Sequence, residues 1–70
     1  MHVTLIAVRS SNLAGVGYDG STLTIEFRGG RVYEYYGVPG FEYIGLMNAS
    51  SHGKYFHANI RNGYRYRRIQ

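Results

Sequence analysis

The sequence predicts a small α+β domain, an antiparallel β-meander with two short helices packed on one face and a C-terminal extended segment. Three observations carry this. Residues Thr22 to Arg28 alternate strictly between apolar and polar side chains, the pattern of a half-buried antiparallel strand. Asp19-Gly20 and Gly29-Gly30 bracket that run with strong turn signals. After Pro39 the apolar spacing lengthens to three and four residues, which is helical. No linker, repeat or low-complexity tract interrupts the 70 residues, so residues 1–70 are read as a single domain.

Val3 to Val8 is β-rich and reads either as a first strand or as an irregular arm. Ser10-Ser11-Asn12 punctuates it, and Leu13 to Tyr18 is the next extended run. Gly15-Val16-Gly17 lacks the third glycine, the following helix and the Lys-Ser/Thr of a phosphate cradle, so these are strand glycines or a bulge. In the following strand Leu23, Ile25 and Phe27 share one face, and Thr22, Thr24, Glu26 and Arg28 the other.

The loop that joins this strand to Arg31–Tyr36 decides where the tyrosines point. A two-residue Gly29-Gly30 loop pairs Ile25 with Glu34, which buries a carboxylate and exposes Tyr33 and Tyr35. A three-residue loop, Arg28-Gly29-Gly30, pairs Phe27 with Arg31 and Ile25 with Tyr33. Glycine in a G1 bulge is the usual device for the longer loop. An unpaired buried glutamate costs several kcal/mol. The bulged register is therefore favoured, with Tyr33 and Tyr35 turned inward and Tyr36 exposed.

Pro39 is placed at the first helical position, where its missing N–H costs nothing. Phe41, Ile44 and Met47 form the predicted inward stripe, widened by Tyr43 and Leu46, of a helix weakened by Gly45 and ending near Ala49. Ser50 and Ser51 are candidate caps for a second short helix that holds Phe56 and Ile60 at i and i+4. Asn62-Gly63 ends it, and Tyr64 to Ile69 is a final strand or extended tail.

Bulk composition bounds the function. A chain this short hides only roughly 60% of the surface its unfolded form exposes, so stability is expected to be marginal. The eight tyrosines and three phenylalanines supply large buried areas in compensation. Zero cysteines exclude disulfides and thiolate metal sites. Net charge is +4, and seven of the eight cations are arginine, the side chain suited to bidentate contact with phosphate or carboxylate. The run Val3–Val8 is too short to span a bilayer and has no basic region ahead of it, so a cytoplasmic protein without a membrane partner is expected.

Candidate chemistry thins out on inspection. His52 and His57 lie five apart, about 140° around a helix, where a shared metal wants i and i+4. Ser50-Ser51-His52 sets hydroxyls beside an imidazole with no acid to orient the ring, and helix capping explains these serines better. Glu26 and Glu34 sit diagonally on one sheet face, where carboxylates solvate rather than catalyse. No catalytic residue, cofactor or metal is assigned, and the chain is read as a non-enzyme. The remaining signal is Tyr64-Arg65-Tyr66-Arg67-Arg68, where guanidinium groups and rings alternate. Extended, it projects Tyr64, Tyr66 and Arg68 to one side and Arg65, Arg67 and Ile69 to the other, with Arg61 and Lys54 extending the patch and Tyr36 as a further exposed ring. Such a segment binds nucleic acid, or it is an edge strand that arginines keep from pairing with other edges.

Several separated motifs together resemble the KTSC domain family: Ser10-Ser11-Asn12, Gly17-Tyr18-Asp19, Leu23-x-Ile25-x-Phe27, Gly30-x-Val32-Tyr33-x-Tyr35, Val38-Pro39, Ser51-x-Gly53-x-x-Phe56 and Ile60-Arg61. The resemblance runs from about Ser10 to Ile69. It implies a short domain that stands alone in bacterial and phage proteins or at the C-terminus of some lysyl-tRNA synthetases, and Tyr33-x-Tyr35 resembles the family's Y-x-Y motif. His57 departs from the pattern, standing where the family commonly has Asn. The resemblance implies no particular enzymatic activity, and its suggestion of RNA binding comes from the synthetase association. The expected function is a module that binds RNA or single-stranded nucleic acid through Lys54, Arg61, Tyr64, Arg65, Tyr66, Arg67, Arg68 and Tyr36. The alternative is a protein-interaction or scaffolding module, as monomer or weak homodimer.

Overall fold

A computed structural model describes residues 4–70. Five antiparallel strands form one sheet in chain order: β1 (Ile6–Ala7), β2 (Leu13–Tyr18), β3 (Leu23–Phe27), β4 (Val32–Tyr35) and β5 (Tyr66–Arg68). Helix α1 (Gly40–Asn48) and helix α2 (His52–Tyr55) stand between β4 and β5, and α2 runs on into a π-turn over Phe56–Ile60. The α+β class, the meander and the covering helices match the sequence reading. The first strand shrinks to two residues, and Val3, placed in it by the sequence, lies outside the described residues.

The β3–β4 hairpin takes the bulged register. Ile25 faces Tyr33 and Leu23 faces Tyr35, while the Phe27 amide donates to the Arg31 carbonyl at 2.8 Å. Gly29 and Gly30 hold φ of 101° and 92°, values that side chains with a Cβ rarely adopt. A second irregularity falls in β2, where the register shifts between Leu13 and Gly15. The extra residue is why Leu13, Val16 and Tyr18 all reach the core side although their spacing is uneven. At the β2–β3 turn, the Asp19 carboxylate accepts from the Ser21 and Thr22 amides, and those bonds lower its pKa.

The core lies between sheet and helices. Leu13, Val16, Leu23 and Ile25 come from the sheet, and Val38, Leu46, Phe56 and Ile60 close over them. Tyr18 stacks on Tyr43 with ring centroids 4.7 Å apart and donates its hydroxyl to the Val38 carbonyl.

Helix α1 corrects the sequence reading. Pro39 is its N-cap, so the helix begins one residue later than predicted. Phe41 and Ile44, assigned to the inward stripe, are 70% and 60% exposed; Leu46, Tyr43 and Met47 of that stripe do face the core, and Glu42 joins them as a buried residue. The reason is polar. One Glu42 carboxylate oxygen accepts from the Tyr55 hydroxyl at 2.7 Å, and the other accepts from the Tyr64 hydroxyl at 2.9 Å. Two phenol donors satisfy a carboxylate that would otherwise be costly to bury. Gly45 makes room for this, since a Cβ there would stand 2.7 Å from Cζ of Tyr55.

Ser51 caps α2 as predicted, its hydroxyl accepting from the Lys54 amide. The α-helical turn then widens, with the Arg61 amide bonded to the Phe56 carbonyl at 2.9 Å. In an α-helix, residue i+5 points about 140° away from residue i. A π-turn closes its bond at i+5 and brings that residue back toward the same side. Phe56 and Ile60, at i and i+4, both stay in the core, and the wider turn brings Arg61 back toward Phe56.

Two expectations follow from this packing. Leu46→Ala is expected to cost about 2–5 kcal/mol by denaturant unfolding, whereas Ile44→Ala stays within about 0.5 kcal/mol of the parent. Gly45→Ala, which helix propensity alone would make stabilising by about 1 kcal/mol, is expected to lower the unfolding midpoint because the added methyl displaces Tyr55 from Glu42.

Candidate functional site

A cavity of about 480 Å³ opens on the helix-bearing side of the sheet, at the end nearest the β3–β4 loop. Its wall is aromatic. Phe27, Tyr33, Tyr35 and Tyr66 come from β3, β4 and β5, and Phe56 from the π-turn. These rings form one connected set, with Tyr35 5.3 Å from Phe56 and 5.7 Å from Tyr66, and Tyr33 5.5 Å from Phe27 and 5.9 Å from Tyr66, all between centroids. The hairpin register creates the wall, because it turns Phe27, Tyr33 and Tyr35 to one face. The β4–β5 register then sets Tyr66 beside Tyr35.

Cations form the rim. Arg28, Arg31 and Arg61 line the cavity with His57, and no Asp or Glu is among the lining residues. The Arg31 guanidinium stands 5.5 Å from the Phe27 ring centroid, a cation–π arrangement. Arg28 donates its Nε to the Ser10 carbonyl at 2.8 Å, which ties the hairpin to the Ser10–Asn12 loop. Arg61 lies 3.3 Å from Nδ1 of His57. Ser11, Asn12 and Asn62 complete the lining with neutral polar groups. The Ser10 hydroxyl accepts from the Asn12 and Leu13 amides and fixes that loop, and buried Gly53 packs against it.

Burial pushes the Tyr35 phenol up to about 12, the neighbouring Tyr33 and Tyr66 phenols add to the rise, and the Arg61 guanidinium opposes it. Tyr35 thus enters the cavity as a protonated group at neutral pH, able to donate a hydrogen bond.

The structure divides the residues that the sequence singled out. Arg61 and Tyr66 line the cavity, and Tyr66 is 60% exposed. Arg68 lies opposite Tyr33 in the β4–β5 pair, on the same side of the sheet as Tyr66. Arg67 lies opposite Glu34 on the other side, where the Tyr36 hydroxyl donates to Glu34 at 2.8 Å. That bond, foremost, raises the Tyr36 pKa, against the pull of Arg67. Arg65 is exposed, and its carbonyl accepts from the Tyr36 amide. Tyr64 is half-buried with its hydroxyl on Glu42, and Lys54 is exposed on α2, outside the cavity lining. His52, considered with His57 as a metal pair, places Nδ1 2.8 Å from the Leu46 carbonyl.

Sequence reasoning passed over Arg28, Arg31, His57, Asn12 and Asn62 as site residues. Signals pointed to two of them, Arg31 and Asn12. The bulged register already set Phe27 beside Arg31 and Tyr33. Moreover, Ser11, Asn12, Phe27, Tyr33, Tyr35, Phe56 and Arg61 all belong to the scattered motifs that carry the family resemblance, and the fold gathers them around this one cavity.

A family model described as the KTSC domain matches residues 9–64. The chain belongs to the KTSC family. A protein of Stutzerimonas stutzeri is 37% identical over 67 residues, which cover 91% of this chain and 94% of that one. A lysine–tRNA ligase of Trichormus variabilis is 46% identical over 48 residues, 69% of this chain, and this chain spans only 9% of the ligase's length. Among solved structures, a KTSC domain protein from Yersinia pestis superposes with a TM-score of 0.92 at 33% identity, covering 99% of this chain and 100% of that one. The KTSC match ends at Tyr64, before β5, so the arginine-rich strand with Tyr66 lies beyond the matched residues.

The raised phenols give a pH signature. Tyr55, through its bond to Glu42 and through burial, is also pushed up to about 12 from an ordinary 10.0. The folded state holds these two protons more tightly than the unfolded chain does. Their contribution to stability is therefore complete below about pH 10 and is lost as pH rises through about 12. Urea midpoints are expected to fall across that window, and ultraviolet titration is expected to show Tyr35 and Tyr55 ionising at about 12, with the Tyr55 contribution absent in Tyr55→Phe.

Proposed function

We propose that this KTSC domain is a non-enzymatic module that binds RNA through the arginine-rimmed aromatic cavity and the surface around it. The observation that carries the reading is the lining itself, in which three arginines and a histidine surround five aromatic rings with no carboxylate among them. Guanidinium groups contact phosphates with little regard to sequence, and rings offer stacking faces to any base. Arg61, Arg28 and Arg31 take the phosphates, and Tyr66 is the principal stacking ring. Arg68 and Lys54, both exposed, extend the positive surface beyond the cavity lining. Arg65 and Arg67 add longer-range attraction from the opposite face. The hydroxyls of Tyr64 and Tyr36 are held by glutamates, so stacking is assigned to Tyr66 before them. The resemblance to part of a lysine–tRNA ligase, an enzyme whose name places it on a tRNA, points the same way.

The residues that most resembled a catalytic set are spent on structure, which supports the non-enzymatic part of the reading. Ser51 caps a helix, and His52 is bonded to a main-chain carbonyl.

Titration of single-stranded RNA monitored by fluorescence anisotropy tests this. Binding is expected at low salt, with log K falling against log salt at a slope near about −2 for three neutralised phosphates. Arg61→Ala is expected to weaken binding and to flatten that slope by about 0.7. No association in low salt would remove the reading. A tight dimer in analytical ultracentrifugation, with β5 at its interface, would favour a protein-interaction module instead.

A further inference from the structure

The cavity has more structure than backbone binding needs. A chain of phosphates would be served by exposed arginines alone, as on β5. Here the cations stand at the rim of a half-open space whose wall is five rings, and Asn12 and Asn62 line the same space. Rings bind flat apolar faces, amides pair with base edges that present both a donor and an acceptor, and guanidinium groups bind phosphate. One molecule offers all three at once, a nucleotide whose base is not paired. The size agrees, because about 480 Å³ falls in the range of pockets that enclose a single small ligand and is far too small for a duplex. The charge also agrees, since a lining with three arginines and no carboxylate rejects cationic ligands.

We propose that the cavity seats one unpaired nucleotide, its base against the wall formed by Tyr33 and Tyr66 and its phosphate among Arg28, Arg31 and Arg61. The inference rests on the RNA reading and sharpens it, giving that reading a defined subsite and limiting it to single-stranded or terminal positions. The phosphate end is partly ordered before any ligand arrives. Arg28 is held through its Nε by the Ser10 carbonyl, which leaves the outer nitrogens of its guanidinium free of that bond, and Arg31 is held over Phe27. Holding the side chains in place beforehand lowers the entropy cost of binding. The Tyr35 phenol supplies a protonated donor deeper in the cavity. His57 stands at the rim 3.3 Å from Arg61, so the position at which this chain departs from the family's pattern borders the phosphate.

The test is an amide chemical-shift titration of the full chain with AMP, GMP, CMP and UMP, with adenosine, with inorganic phosphate, and separately with a single-stranded RNA. The nucleoside monophosphates are expected to shift His57, Asn62 and Tyr66 in a saturable way. Adenosine and inorganic phosphate are each expected to bind about tenfold more weakly, as each lacks one of the two contacts. Tyr66→Ala and Arg61→Ala are each expected to weaken the monophosphates by about tenfold, while Ile44→Ala, on the outer face of α1, leaves them unchanged. Inorganic phosphate acting as strongly as the monophosphates would overturn the base seat. RNA binding without any monophosphate response in the cavity would overturn this inference and leave the RNA reading standing. Absence of both would remove the two together, and monophosphate binding without RNA binding would support the seat while removing the RNA reading.

Discussion

In the β3–β4 hairpin, the Phe27 amide bonds to the Arg31 carbonyl while Gly29 and Gly30 take up the turn at positive φ. That three-residue loop fixes which face of the sheet each later residue occupies. A loop one residue shorter would carry Glu34 to the helix side and expel Tyr33 and Tyr35, because side chains alternate along a strand. In the register observed, those tyrosines join Leu23, Ile25 and Phe27, the core closes under α1 and the π-turn, and the excess of rings at the loop end becomes the cavity wall. Core and candidate site are thus two regions of one sheet face, divided by how far the helices reach.

The tyrosines are shared between these regions in a way that a chain of this size requires. With a small apolar core, burying phenols is a source of area, but each hydroxyl must then find a partner. Tyr18, Tyr55 and Tyr64 find theirs on the Val38 carbonyl and on Glu42. Tyr33, Tyr35 and Tyr66 border the cavity instead. Glu42 is consequently a packing residue despite its charge. It lets two rings from the C-terminal half of the chain anchor on α1, and it sets the rotation of that helix, leaving Phe41 and Ile44 facing outward.

The strands, the bulged hairpin and the order of elements were legible because alternation, glycine pairs and the penalty on a buried carboxylate are local signals. The rotation of α1 was not legible. Hydrophobic spacing favoured Phe41 and Ile44, and only the positions of Tyr55 and Tyr64, distant in sequence, make Glu42 the better inward residue. Arg61 was named from its charge, but its place beside Phe56 was not legible. On α-helical geometry it points away from Phe56, and the π-turn that brings it back leaves no periodic mark. The alternation of Tyr66 and Arg68 against Arg67 was readable from strand spacing, but the sequence held no sign that Glu34 would face Arg67 across the sheet. Arg28 and Arg31 were legible only as hairpin positions, and nothing local in the sequence marked them as lining a cavity with Phe56 and Arg61.

Strand β5 joins the sheet only after the chain has passed through both helices, although β2, β3 and β4 are linked by short turns. It is three residues long, exposed at each of them and at the sheet's edge, the kind of segment that detaches while the remainder stays folded. Tyr66 travels with it. Peeling that edge away dismantles one side of the cavity yet leaves Leu13, Ile25, Leu46 and Phe56 packed. Any occupancy of the cavity and the order of β5 would therefore be thermodynamically linked, so that a molecule resting on Tyr66 would tighten the strand and a loosened strand would weaken its hold.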